Sequence, residues 1–526
     1  MHAPARAALV FLSLGGLWPV AGPRDAAAQG ERPPGARVTL LDRHGHPLAH
    51  DPPLWRDAAC APALWSALHG AGSERTTTPQ STLDGGLQAL ALRTVQRGVE
   101  RLSRSAAADW SEVTSAPPGA EAAAPAARAD SKGRPPLVLG TRAVGAVLAV
   151  QEVRVGAVVT EQLVMQLRGG ARATLPLPPR LACEGHAVAP LPPASARFHA
   201  GERLLVRVTA LGGAGKDAVV SLQPQAALVA LAPDSREVLA LSGGYDQHPG
   251  DFDRALQGRR QAGSTWKPLV YAEALASGRH ALAEQVQDLP TLYGGWRPRN
   301  YQEGYRGPVR LRMALAHSIN TIAVRLLADV GPGRVAALAQ RLGIPAAQVP
   351  RDLTQALGTA LVSPLQLAAA YAALADTKEG RYLPPRLWAS AAEPEAMERP
   401  PALRPQVAYL ISSALRSVIE EGSAVRARAL LPHLHGKTGT TSNGADAWFV
   451  GYHGALLAVV WVGEDTPAPA QTDGKRTGAE AALPLWMEFM QGAAQQGYAP
   501  VVLPRPAGIK EVPLPEGGTE LALIGE

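Results

Sequence analysis

The sequence predicts a multidomain α+β protein, with a sheet covered by helices preceded by a small all-β module. Three observations carry this reading. Residues 137–225 contain short, partly alternating apolar runs (147–155, 157–166, 171–177, 203–210 and 218–222) separated mostly by Gly and Pro, the pattern of a barrel-like or OB-like module. From Ala226, two apolar runs flank Pro233-Asp234, a hairpin signal, and Ala/Leu-rich helical stretches follow at 264–278, 310–328, 333–342, 364–375 and 404–420. Residues 447–452 and 456–462 then read as paired strands, so strands bracket helices as they do in a layered domain.

The elements fall in order along 526 residues, a length that accommodates two or three domains. Residues 1–28 resemble a secretion signal. Arg6 supplies a positive start, an apolar run extends from Ala7 to Ala21, and Ala26-Ala27-Ala28 offers a small-residue cleavage site. The run is interrupted by Gly15, Gly16 and Pro19 and is short for a span of about 20 residues, which favours a cleaved signal over a permanent anchor. Both alternatives put the body in the periplasm or another extracytoplasmic space. Residues 29–104 read as a linker or N-terminal segment, with one amphipathic helix at 83–102. Residues 105–136, rich in Ala, Pro, Ser and Gly, read as a low-complexity linker. After the β module comes the larger domain, 226–498, and then a Pro-rich tail, 499–526, expected to be extended.

A net charge of +6 over this length is a mild bias, too weak to argue for nucleic acid. Cys60 and Cys183 sit in no C-x-x-C pair, so no metal site and no cofactor is expected, and whether they pair is open.

Three short motifs carry chemistry. In Gly263-Ser264-Thr265-Trp266-Lys267 a serine precedes a lysine by three residues at a predicted helix start, which puts both side chains on one face, about a turn apart. An amine there can take the serine proton once burial or a nearby cation lowers its pKa. Of seven lysines in the chain, Lys267 alone has a serine three positions before it. In Ser318-Ile319-Asn320 a second hydroxyl can pass a proton to a leaving amine, and the amide can hold a substrate amide. In Gly436-Lys437-Thr438-Gly439-Thr440 a fixed charge and hydroxyls suit a substrate carboxylate, with Gly439 permitting close backbone approach. Singly, each has a plain structural reading: an N-cap with a solvated lysine, a polar kink between helices, a turn before a strand. Their order within one domain is what points to a shared site.

This combination is the one found in penicillin-binding proteins and class A β-lactamases. Residues 226–492, about half the chain, resemble the transpeptidase domain of class A penicillin-binding proteins. Further agreement comes from Ala240-Leu241-Ser242-Gly243-Gly244-Tyr245, Phe252-Asp253-Arg254-Ala255, the run from Trp296 through Asn300 to Tyr301, Ala356-Leu357-Gly358 with Ser363-Pro364-Leu365, and the run from Asp446 to Tyr452. The resemblance implies a penicillin-binding/β-lactamase-like fold and a serine D,D-transpeptidase acting on peptidoglycan stem peptides. By that resemblance Ser264, Lys267, Ser318 and Lys437 are catalytic, and Asn320, Thr438, Gly439 and Thr440 bind substrate. The N–H groups of Ser264 and Thr440 form an oxyanion hole, and β-lactams acylate Ser264.

The departures lie at the N-terminal end. Fewer than a hundred residues precede the linker-like helix, and no acidic E-D-x-x-F-type motif occurs among them, so glycan polymerisation is not expected and a separate glycosyltransferase is an expected partner. Two alternatives stay open. One is a D,D-carboxypeptidase or serine β-lactamase. A class A lactamase needs a deacylating glutamate soon after the second motif, whereas between Asn320 and Lys378 the acids are Asp329, Asp352 and Asp376. The other is a non-enzymatic β-lactam sensor or cell-wall assembly factor.

Overall fold

The computed structural model describes residues 39–50, 80–108, 138–155, 158–167, 170–178, 189, 191–211, 217–248, 251–302, 304–388, 400–441, 444–465 and 476–524. The signal-like segment, both cysteines and most of the low-complexity linker lie outside these residues. A hairpin of β1 (Thr39–Leu41) and β2 (Pro47–His50) precedes helix α1 (Gly85–Ala108). Strands β3 (Arg142–Val155), β4 (Val158–Leu167), β5 (Arg172–Pro176), β6 (Arg203–Leu211) and β7 (Asp217–Leu222) form a closed barrel, with the short helix α2 (Ala194–Arg197) before β6. The barrel order is β3-β4-β5-β7-β6, with β6 returning to β3 and β5 pairing with β7 in parallel.

The second sheet is built from β8 (Gln225–Leu231), β9 (Val238–Ser242) and three late strands: β14 (His435–Thr440), β15 (Asp446–His453) and β16 (Leu456–Gly463). It is antiparallel throughout, in the order β14-β15-β16-β8-β9. Every residue of β8, β15 and β16 is buried, because both faces of the sheet are covered. That is why these strands read as unbroken apolar runs and not as alternating ones.

Between β9 and β14 lie α3 (Lys267–Ala276), α4 (Leu311–Ala316), α5 (Asn320–Val330), α6 (Pro332–Arg341), α7 (Pro364–Ala375) and α8 (Pro405–Glu420). Two small pairs accompany them, β10 (Arg260–Gln261) with β13 (Leu361–Val362) and β11 (Gln285–Asp288) with β12 (Gly307–Arg310). Helix α7 starts on a full capping box, Ser363 with Gln366, and is buried along nearly its whole length. Helix α9 (Leu483–Gln495) follows β16.

Three readings are corrected. The stretch 310–328 is not one helix. It breaks into α4 and α5 at His317-Ser318-Ile319, where Ser318 takes a left-handed φ of 58°. The helix at 83–102 runs from Gly85 to Ala108 and is wall, not linker. Gln88 donates to the Leu241 carbonyl (2.9 Å) and accepts from the Leu241 N–H (2.8 Å), while Thr82 Oγ1 donates to the Val238 carbonyl (2.9 Å) and Asp84 N–H to that of Leu239 (2.9 Å). These bonds occupy the edge of β9, which has no further strand beside it among the described residues. Lastly, the tail is not wholly extended: β17 (Ile509–Pro513) and β18 (Thr519–Leu523) form a hairpin. It is fastened to α4, where Arg312 meets Glu520 in a two-pronged ion pair (2.6 and 2.5 Å).

Candidate active site

The three motifs converge on one cleft. Gly263–Trp266 forms a 3₁₀ turn leading into α3, and the Lys267 N–H bonds back to the Ser264 carbonyl. Such a turn eclipses side chains three apart, so Ser264 and Lys267 share an edge. The turn is pinned from behind by Tyr371 of α7, whose hydroxyl donates to the Thr265 carbonyl (2.6 Å). Ser264 is partly exposed and lines a cleft of about 520 Å³ with Ser318, Asn320, Thr438 and Thr440.

Lys267 and Lys437 are fully buried. The Lys267 amine donates to the Ser318 carbonyl (2.5 Å), Asn320 Oδ1 (2.6 Å) and Ser318 Oγ (3.2 Å). The Lys437 amine donates to the same Ser318 Oγ (2.8 Å) and to the Thr438 carbonyl (3.1 Å). One hydroxyl therefore sits between two amines, and neither amine has a carboxylate among these partners. Burial pushes Lys267 well below the ordinary lysine range, and the charge of Lys437 adds to this. Burial alone brings Lys437 to about 7. A hydrogen bond between Ser264 and Lys267 is not among these contacts; the second motif holds the lysine.

The strand motif is engaged as well. Thr438 Oγ1 and Ser423 Oγ lie 2.7 Å apart, and Thr440 Oγ1 accepts from the Gly478 N–H (3.0 Å). Gly439 serves a different need from the one its sequence context implies. A Cβ there would meet Thr265 Cγ2 at 2.7 Å, the Ala262 carbonyl oxygen at 2.9 Å and Trp448 Cβ at 3.0 Å. Its bareness lets β14 lie directly on the Ser264 turn, and the residue is not part of the cleft lining.

Residues outside the three motifs complete the site. Asn300 Oδ1 accepts the N–H groups of Asn320 (3.0 Å) and Thr321 (3.3 Å), capping α5 from another segment, while its own N-cap Ile319 has no side-chain acceptor. Asn300 Nδ2 donates to both oxygens of Asp288 (3.0 and 3.2 Å), which is fully buried and also accepts from Thr321 Oγ1 (2.5 Å) and the Arg306 N–H (2.9 Å). Asn300 was visible in the sequence through its neighbours from Trp296 to Tyr301; nothing local marked Asp288. His317 also lines the cleft, its pKa lowered by burial and by Arg306.

The residues lining this cleft all fall within the stretch of chain that known proteins match. Residues 226–484 match the penicillin binding protein transpeptidase domain. The chain is 34% identical to penicillin-binding protein 1A of Neisseria cinerea over 291 residues, covering 52% of this chain and 36% of that protein. It is 32% identical to penicillin-binding protein 1A of Pseudomonas aeruginosa over 348 residues, covering 54% and 42%. The chain thus spans about two fifths of the length of these relatives. In fold it is similar to the crystal structure of penicillin-binding protein 1A from Haemophilus influenzae, with a TM-score of 0.62 and 23% identity over 91% of this chain and 78% of that one. The chain carries a penicillin-binding protein transpeptidase domain homologous to penicillin-binding protein 1A.

Proposed function

We propose that this protein is a peptidoglycan D,D-transpeptidase that works through an acyl-enzyme on Ser264 and is acylated there by β-lactams. The observation that carries the proposal is the Ser318 hydroxyl held between two buried lysine amines on the cleft that Ser264 opens into. A neutral Lys267 has two N–H groups, matched by the Ser318 carbonyl and Asn320 Oδ1; its contact with Ser318 Oγ then falls to the lone pair, which is the site that accepts a hydroxyl proton.

In this reading Ser264 Oγ attacks the carbonyl between the two terminal D-alanines while Lys267 takes its proton. The N–H groups of Ser264 and Thr440 receive the oxyanion, each such donor being worth about 3 kcal/mol in the transition state. The C–N bond then breaks, and Ser318, supported by Lys437, delivers its proton to the departing D-alanine and takes a replacement from protonated Lys267, 3.2 Å away. Thr438 and Thr440, with Lys437, hold the terminal carboxylate, and Asn320 orients the stem-peptide amide. The amine of a second stem peptide attacks the ester, forms the cross-link and releases Ser264 with its proton.

Hydrolysis by a carboxypeptidase or β-lactamase would need a group that activates water. Among the described residues lining the cleft, the carboxylate is Asp288, and its oxygens are taken up by Thr321, Asn300 and Arg306. That favours amine over water as the acceptor. No helix among the described residues is long and apolar enough to cross a membrane. We place the domain outside the cytoplasm, where its substrate lies, and we read the barrel as OB-like from its five strands and its order. A separate glycosyltransferase partner fits this reading.

Intact-mass analysis after penicillin treatment tests the assignment. One stable adduct is expected, mapped by digestion to the peptide holding Ser264 and absent from Ser264→Ala. An adduct on another residue, or rapid turnover of the penicillin, would overturn it.

A further inference from the structure

A second cavity, of about 560 Å³, lies away from the three motifs, between α1 and the segment leading into α2. Its lining includes Arg93, Arg97, Arg101 and Arg104 of α1, together with Arg197 and Glu100. The four helix arginines are spaced 4, 4 and 3 residues apart, so they form one stripe about 16 Å long on a single face.

The far end of the groove is held rigidly. Arg104 and Arg197 both stack on the ring of buried Phe198, at 5.0 and 5.3 Å, and Arg104 donates to the Arg197 carbonyl (2.6 Å). Charge is left over. Glu100 pairs with Arg197, Glu202 with Arg104 and Glu488 with Arg97, which leaves Arg93 and Arg101 without a carboxylate among the described residues. Two buried guanidinium nitrogens, Arg93 Nε and Arg197 Nη2, have no hydrogen-bond partner among the described residues. The Arg197 side chain is only 7% exposed. Buried donors are nearly always satisfied, so these two point to an absent acceptor.

We propose that this groove is a binding site for a ligand carrying clustered phosphate groups. Guanidinium forks match phosphate oxygens two at a time, and a row of them spaced along a helix suits several phosphates better than one. The shared chemistry is the phosphoryl cluster, whether it belongs to a soluble polyphosphate or to a layer of phospholipid headgroups.

The test is calorimetric titration of the full chain with tripolyphosphate and with orthophosphate at constant ionic strength. Tripolyphosphate is expected to saturate one site and to bind more tightly than orthophosphate. Arg93→Glu with Arg101→Glu is expected to weaken it at least tenfold. Arg101→Glu alone, at an exposed position that leaves folding undisturbed, is expected to weaken it at least threefold. Absence of tripolyphosphate binding, or equal binding by the wild type and both variants, would overturn the proposal. Co-sedimentation with phosphatidylglycerol vesicles, compared with phosphatidylcholine, identifies the source. Arg101-dependent pelleting assigns a headgroup, whereas tripolyphosphate binding without pelleting assigns a soluble phosphate.

Discussion

Asn300→Ala separates positioning from chemistry at this site. The amide caps α5 through the N–H groups of Asn320 and Thr321 and steadies the buried Asp288. Loss of a cap costs about 1 kcal/mol, and the donor withdrawn from a buried carboxylate that keeps two others costs about 1 kcal/mol more. A stability loss of about 2 kcal/mol is therefore expected. The larger effect falls on Asn320, whose Oδ1 holds the Lys267 amine at 2.6 Å. A shift of the α5 start by ~1 Å would cost up to about 100-fold in rate. Stopped-flow acylation by a fluorescent penicillin should show the first-order acylation rate falling 10- to 100-fold, with the prior binding constant nearly unchanged. Asn300→Asp should be worse, since it keeps the acceptor but sets a second carboxylate against Asp288. Acylation by Asn300→Ala within twofold of wild type would refute the reasoning.

Four further outcomes are expected. Lys437 titrates at about 7 when folded and near 10.4 when unfolded, so the unfolded chain binds the extra proton between these values and stability rises with pH across that window. Melting temperatures from pH 7 to 9 should therefore climb more steeply for wild type than for Lys437→Met; parallel curves would argue against an uncharged buried amine. Gly358 has φ +79°, and a Cβ there would lie 1.9 Å from the Gly263 carbonyl oxygen, so Gly358→Ala should cost at least about 2 kcal/mol in chemical denaturation and displace the Ser264 turn. Glu520→Ala strands the half-buried Arg312 and should cost roughly 3 kcal/mol by the same measurement, while a loss under 1 kcal/mol would mean the tail hairpin is not an anchor. Ser318→Gly relieves a left-handed φ and should be as stable as wild type or more so, yet its acylation should slow by about 100-fold or more; an unimpaired Ser318→Gly would remove the hydroxyl from the proposed mechanism.

What was legible in the sequence was local. A serine and a lysine three apart need one turn to become neighbours, and the long apolar runs at β8, β15 and β16 announce strands covered on both faces. The rest depended on contacts between distant segments. Asp288 acts on α5 through Thr321, 33 residues away, and sits in a short strand whose alternating burial gives no hint of a site. Gly439 looked like a glycine for substrate, but its space is claimed by Thr265, Ala262 and Trp448, and no local pattern encodes that. The tail reads as extended because Pro and Gly punctuate it. Its fold rests on Glu520 reaching Arg312, 208 residues upstream.

The break at Ser318 shows why the second motif had to look like a flaw in a helix. Lys267 takes both the carbonyl and the hydroxyl of Ser318, so the backbone and the side chain of one residue must face the same amine. In a helix the carbonyl is committed to the residue four positions on and points along the axis, so it cannot turn to a neighbour. The left-handed φ of 58° frees it, at a local cost of about 1–2 kcal/mol. The chain then restarts as α5 on a cap borrowed from Asn300, placing Asn320 at the first helical position with its Oδ1 on the same amine. Strain at Ser318 and the borrowed cap at Asn300 are two halves of one arrangement, and together they fix a buried amine that has no carboxylate among its partners.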